Sequence, residues 1–263
     1  MKLTYWDSQF QFREVLPDFE DCLARMQIRS DAVRDRLSLE TLTYGEDSRQ
    51  WCEVAGQMPA GGILPVFIHG GYWRALEAER HRFVLPALQG INGAVGNLEY
   101  RLLPHVSLSD IIDDACAGLK ALSAHSSCRV LAIGHSAGGH LATMAARFLP
   151  DIVAGAVSVS GLYDLRPLQW SFLREEIGLR FEDIDGHSPQ DLWAGCDARN
   201  VVTAVGENET NEFQRQAHVF ASSHSAHFLS VPNAHHMTVL DDLERSNGAL
   251  IPTISNMLKE LEA

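Results

Sequence analysis

Three short stretches of this chain hold residue types that together could carry out nucleophilic acyl chemistry. The first is Gly134-His135-Ser136-Ala137-Gly138-Gly139, which follows the apolar run Val130-Leu131-Ala132-Ile133 and precedes a small-residue helical pattern. It reads as strand, sharp turn and helix, with Ser136 lifted at the turn of a G-x-S-x-G elbow. A serine held in so tight a turn brings the residues two positions away against neighbouring backbone. Gly134 and Gly138 carry no Cβ to clash there. The helix starting at Ala137 aims free N–H groups and a positive dipole end at the point where an oxyanion would form. With Gly and Ser each near ~7% of residues, the bare pattern arises by accident in roughly one chain in ten of this length, so its setting must carry the argument.

A serine hydroxyl is a poor nucleophile at neutral pH and needs a base, itself oriented by a carboxylate. Behind an elbow of this kind the acid and then the histidine follow in chain order. The acid is expected in the loop after a strand at 199–205, which reads Gly206-Glu207-Asn208-Glu209-Thr210-Asn211-Glu212. Glu207 and Glu209 compete for the role, while Glu212 opens the next helix and reads as a surface or dipole-facing residue. The base is expected after a strand at 226–231, in Pro232-Asn233-Ala234-His235-His236-Met237. His236 is the leading choice because it directly precedes an amphipathic start, and His235 is the alternative. The third stretch, His69-Gly70-Gly71-Tyr72-Trp73, ends an apolar strand well before the elbow. Bare amides at Gly70 and Gly71 are expected to join that of Ala137 as oxyanion donors. Tyr72, Trp73 and His135 are expected to border the substrate pocket.

Positioning such loops requires a sheet. Period-two alternation over Leu39–Tyr44 predicts a strand, and Trp51–Ala55 a partner for it. Pro59 to Gly62 predicts a turn. Leu64–Ile68 is wholly apolar, as for a strand covered on both faces. A helix is expected from about Glu77 to Leu88, a strand over Ala94–Tyr100, and a helix from about Ser109 to Leu122 begun by a Ser/Asp cap. Ile152–Val159 predicts another buried strand, and a helix near Glu212–Ser222 separates the last two. The alternation implies a mainly parallel sheet with helices on both faces. One α/β domain is expected over 1–263, with an N-terminal helical extension at about 1–38. Residues 161–197 are too long and aperiodic for an ordinary loop and are expected to form a cap that sets substrate size.

The chain has 263 residues and a formal net charge of -13, which argues against nucleic acid or an anionic membrane as partner. No signal-peptide core follows Met1, and no apolar run approaches the ~18 residues of a membrane helix, so a cytoplasmic location is expected. Five cysteines without a C-x-x-C pair suggest reduced thiols. Despite 12 histidines, no ligand cluster stands out in the sequence, and neither metal nor cofactor is expected. The expected partner is a small-molecule acyl substrate, with a homodimer the commonest assembly for such chains.

Together the H-G-G loop, the elbow through His140 and the run Asn97-Leu98-Glu99-Tyr100-Arg101-Leu102-Leu103-Pro104 resemble the α/β-hydrolase superfamily, close to the H-G-G esterases related to hormone-sensitive lipase. Tyr44-Gly45, Ser160 to Leu168, and Glu209-x-x-Glu212-Phe213 with Gln216 are similar to kynurenine formamidases of the serine-hydrolase type. That family hydrolyses N-formyl-kynurenine to kynurenine and formate, and its neighbours include carboxylesterases and thioesterases. The resemblance implies Ser136 as nucleophile, Glu209 as acid and His236 as base in an α/β-hydrolase fold. Glu209 falls where the family has an aspartate, so one extra methylene must be absorbed locally.

Overall fold

The computed structural model describes residues 3–57, 61–245 and 247–262. Much of the turn expected at Pro59 to Gly62 therefore lies outside the described residues. Among these residues eight strands form one sheet: β1 (Glu40–Thr43), β2 (Trp51–Gly56), β3 (Ile63–Ile68), β4 (Ala94–Leu98), β5 (Arg129–His135), β6 (Val153–Val159), β7 (Val201–Gly206) and β8 (His227–Val231). Their order is β1-β2-β4-β3-β5-β6-β7-β8. Only the β1/β2 and β2/β4 pairings are antiparallel; every later pairing is parallel.

The apolar runs become central strands because both faces of the sheet are covered. Leu64, Val66 and Ile68 of β3 join Val130 and Ala132 of β5 in one core layer. Ile63 and Phe67 join Leu131 and Ile133 in the other. Each buried side chain of this size contributes ~2 kcal/mol of transfer free energy, so a one-residue slip of β5 would be strongly disfavoured.

Three helices precede the sheet: α1 (Tyr5–Phe10), α2 (Phe12–Val15) and α3 (Phe19–Arg34). After β3 the chain enters a 3-10 segment at Ala78–Val84 and then α4 (Leu85–Asn92). The single helix expected at 77–88 is thus divided, with Pro86 in the first turn of α4; proline fits that position because its missing N–H would be unpaired there anyway. Next come α5 (Leu108–Ser126), with a reciprocal capping box between Ser107 and Asp110, and α6 (Ala137–Phe148). Between β6 and β7 lie a 3-10 turn at Arg166–Trp170 and three short helices, α7 (Leu173–Ile177), α8 (Phe181–Asp185) and α9 (Pro189–Leu192). The chain closes with α10 (Asn211–His224) and α11 (Leu250–Glu262). Leu119 of α5, Leu141 of α6 and Phe220 of α10 cover one face, whereas Leu88 of α4 and Ile254 of α11 cover the other.

Candidate active site

Ser136 stands at the sheet's carboxyl rim with φ 56° and ψ -119°. A non-glycine residue there costs on the order of 1–3 kcal/mol, which the surrounding structure must offset. Ser136 N–H donates to Val159 O at 2.8 Å and Ser136 O accepts from His140 N–H at 3.1 Å, so both sides of the turn are pinned. A Cβ on Gly134 would collide with Gly138 backbone, and one on Gly138 with the carbonyls of Ile68 and His69. The glycine pattern is therefore a packing requirement of this elbow.

Beside Ser136, His236 Nε2 lies 3.0 Å from its Oγ, and His236 Nδ1 lies 2.8 Å from Glu209 Oε2. Because a carboxylate can only accept, Nδ1 carries the proton and the Nε2 lone pair faces the hydroxyl. Glu209 is buried, and its Oε1 accepts from Ser160 Oγ and from Gly206 N–H at 3.4 Å. Sequence reasoning missed Ser160, although it opens the Ser160 to Leu168 motif. The longer glutamate chain finds room at Gly206, where a Cβ would come within 3.2 Å of Glu209 Cγ and would strike Ala234 O. The extra methylene is absorbed by a glycine.

The structure separates the rival candidates. Glu207 is exposed and accepts from Asn233 N–H at 3.0 Å, tying the two loops together. His235 turns away toward α3, with Nε2 3.3 Å from Asp18 Oδ1. Glu212, expected at the surface or facing the helix dipole, stands in the first turn of α10 but is buried, between Arg215 at 2.7 Å and Gln216 Nε2 at 2.8 Å. Gln216 in turn accepts from Tyr163 and Asp164 N–H at 2.8 and 2.9 Å, fixing the chain just after β6.

Ala137 is the first residue of α6, where an N–H has no partner within its own helix. A Cβ on Gly70 would lie 3.1 Å from Ser136 Cβ, which sets the H-G-G loop directly against the hydroxyl-bearing residue. Gly71 adopts φ +108°, a conformation open mainly to glycine. Behind the loop, His69 Nε2 contacts Glu99 Oε1 at 3.1 Å, and its ring stacks on Tyr100 at 4.2 Å. Glu99 also accepts from Arg49 at 2.6 Å and Ala78 N–H at 2.8 Å. Burial alone would raise the Glu99 carboxyl, but His69, the Ala78 N–H and Arg49 hold it below the usual carboxylate range. The Asn97 to Pro104 motif thus anchors the glycine loop.

A family profile described as "alpha/beta hydrolase fold" matches residues 65–222, more than half of the chain. The chain belongs to this alpha/beta hydrolase family. Relatives include kynurenine formamidases of Salmo salar, 27% identical over 230 residues and covering 78% of this chain and 77% of the relative, and of Danio rerio, 24% identical with coverages of 88% and 86%. Among solved structures, a candidate thioesterase from a Silicibacter species superposes with a TM-score of 0.84 at 25% identity, covering 96% of this chain and 99% of that one. Esterase B of Lactobacillus rhamnosis shares the fold, with a TM-score of 0.70 at 19% identity over 92% and 96% of the two chains.

Ser136, His135 and His236 of the hydrolase open into a cavity of about 440 Å³, a size typical of small-molecule sites. Its other walls include the N-terminal residues Phe10, Phe12, Phe19, Leu23 and Met26, which the sequence offered no reason to place there. Residues 161–197, expected to set substrate size, contribute Phe172 and Glu176. Tyr72 borders the cavity as expected, and its hydroxyl donates to Phe10 O at 2.9 Å. Trp73 does not: it is fully buried beside His140 in the core, because α6 and the H-G-G loop close over it. His135 does border the cavity, and its Nε2 donates to His236 O at 2.9 Å. Burial, with His236 and His81 nearby, holds His135 well below the usual histidine range, so it is a neutral strut for the base loop.

Among the described residues, no helix is long and apolar enough to cross a membrane. Among the described residues the five cysteines form no disulfide. Folding brings Asp18, Cys22 and His235 within 4.8 Å of one another, a grouping that no sequence spacing announces. Arg25 donates to Cys22 Sγ at 3.0 Å, so this grouping is a hydrogen-bonded network joining α3 to the base loop.

Proposed function

We propose that this hydrolase cleaves a small formamide or short acyl ester through a serine acyl-enzyme, with an aryl formamide of the N-formyl-kynurenine type as leading substrate. The observation that carries the reading is the unbroken Glu209–His236–Ser136 relay, at 2.8 and 3.0 Å. As Ser136 Oγ attacks the carbonyl carbon, its proton passes to His236 Nε2, and Glu209 stabilises the imidazolium. The amides of Gly70, Gly71 and Ala137 receive the oxyanion. His236 then protonates the departing amine or alcohol. Water, activated by the same imidazole, releases the acyl group and restores Ser136.

The aromatic walls Phe10, Phe12, Phe19, Tyr72 and Phe172 suit a flat leaving group, and a formyl acyl portion needs little room beside the elbow. The formamidase names of the two fish relatives point the same way. A general carboxylesterase or thioesterase is the second reading, supported by the Silicibacter likeness. We read residues 161–197 as a cap within one domain, and the chain as a cytoplasmic enzyme that needs neither nucleic acid nor membrane, with a homodimer as its assembly.

The deciding assay compares kcat/KM for N-formyl-kynurenine with that for p-nitrophenyl acetate and butyrate, using wild type and Ser136→Ala. A formamide value far below the ester values leaves the esterase. Equal turnover by wild type and Ser136→Ala ends the serine reading altogether.

A further inference from the structure

The N-terminal segment does more than wall the cavity, because it is fastened to the acid loop, to the H-G-G loop and to Phe172. Thr210 Oγ1 donates to Gln9 O at 2.9 Å and Glu212 N–H to Gln9 Oε1 at 3.0 Å, beside the acid loop. Tyr72 of the H-G-G loop donates to Phe10 O, and Phe172 N–H donates to Asp7 Oδ1 at 2.6 Å. These bonds hold Phe12 in one place. Its ring lies flat on the His236 imidazole, with centroids 3.9 Å apart and planes 13° from parallel. Phe213 meets the same imidazole at 4.6 Å in a tilted contact, and Tyr72 stacks on Phe12 at 6.2 Å. Phe12 is itself 5% exposed, so little water reaches that face of the imidazole.

We propose that Phe12 is a positioning residue for the base: stacked on His236, it fixes the imidazole plane and stabilises the imidazolium formed as Ser136 attacks. The inference rests on the serine reading given above. The Nδ1–Glu209 bond leaves the imidazole free to swing about one axis, and a flat ring on its face removes that freedom. A π face also attracts a cation more than a neutral ring, so the contact strengthens as the proton arrives from Ser136. The groups facing His236 are Glu209, Ser136 and His135, and His135 is neutral. Glu209 is therefore the charged partner of the imidazolium, and Phe12 and Phe213 are the rings set against it.

The test compares Phe12→Leu and Phe12→Tyr with wild type on methyl acetate, whose leaving group carries no ring to pack on the aromatic walls. In Phe12→Leu, kcat should fall roughly three- to tenfold with KM within about twofold. The acid limb of its kcat/KM profile should move about half a pH unit lower, because the imidazolium has lost its π partner. Phe12→Tyr keeps the ring and should restore both. The proposal is overturned if Phe12→Leu raises KM alone, or if kcat and the acid limb both stay at wild-type values. It is also overturned if Phe12→Tyr behaves as Phe12→Leu does. Failure of the serine reading shows differently: wild type itself would resist a fluorophosphonate probe.

Discussion

The carboxyl rim of the sheet and the N-terminal roof above it meet at one imidazole, yet they are specified in different ways. At the rim, β5, β7 and β8 each end in a loop that supplies one member of the relay, and local backbone rules dictate what stands there. Gly134 and Gly138 have no alternative because carbonyls occupy the space of a Cβ. On the roof, Phe10, Phe19 and Met26 obey no such rule and need only be apolar and of the right size, with Phe12, stacked on His236, the exception. Chemistry here is fixed by backbone geometry, whereas substrate fit is fixed by replaceable side-chain volume.

Substitutions can test how far that division holds. Ser136→Ala should lose on the order of 10⁶ in kcat while leaving KM for a short ester nearly unchanged. Glu209→Gln keeps the shape but loses the charge and the tautomer control, and should cost about 10⁴ in kcat. Glu209→Asp keeps the charge and withdraws the carboxylate from the imidazole; a misplacement of this kind costs roughly 10². Near-wild-type kcat in Glu209→Asp would show that the rim tolerates slack, blurring the contrast with the roof. A roof change, Met26→Ala, should shift the kcat/KM ratio of butyrate to acetate ester by about tenfold while leaving fluorophosphonate labelling of Ser136 intact. A large drop in labelling would place Met26 with the rim.

The smallest effect concerns stability. Burial pushes His81 down to about 3 and His140 down to about 4, against 6.5 for an exposed histidine, and lowers His135 in the same direction. These imidazoles are neutral in the fold and gain protons on unfolding below pH 6.5. The unfolded state therefore binds more protons between about pH 6.5 and 4, and stability falls as the pH falls through that window. Each contributes up to ~1 kcal/mol per pH unit. Thermal melts of His140→Asn across this range should show a shallower slope than wild type.

Legibility in the sequence followed the same division. Ser136 could be read from five residues, because the elbow needs glycine, serine and glycine at fixed spacing. The loops carrying Glu209 and His236 could be placed by counting strands, yet the choice between Glu207 and Glu209 rested on the family resemblance. Only coordinates show Glu209 inward at Gly206 and Glu207 outward on Asn233. Ser160 lay in a quoted motif without a visible purpose, since a hydroxyl bonded to a carboxylate 49 residues away leaves no local pattern. Trp73 misled because a tryptophan after a strand end reads the same whether α6 covers it or not. The roof was least legible. Tyr5, Trp6, Phe10 and Phe12 sit in a polar, charged segment, and only that density of aromatics in so polar a stretch hints at a buried partner.

The Phe12–His236 stack carries a practical warning for anyone expressing this hydrolase. Trimming the chain to the segment recognised by the family profile, 65–222, would discard the imidazole at 236 and the ring that covers it.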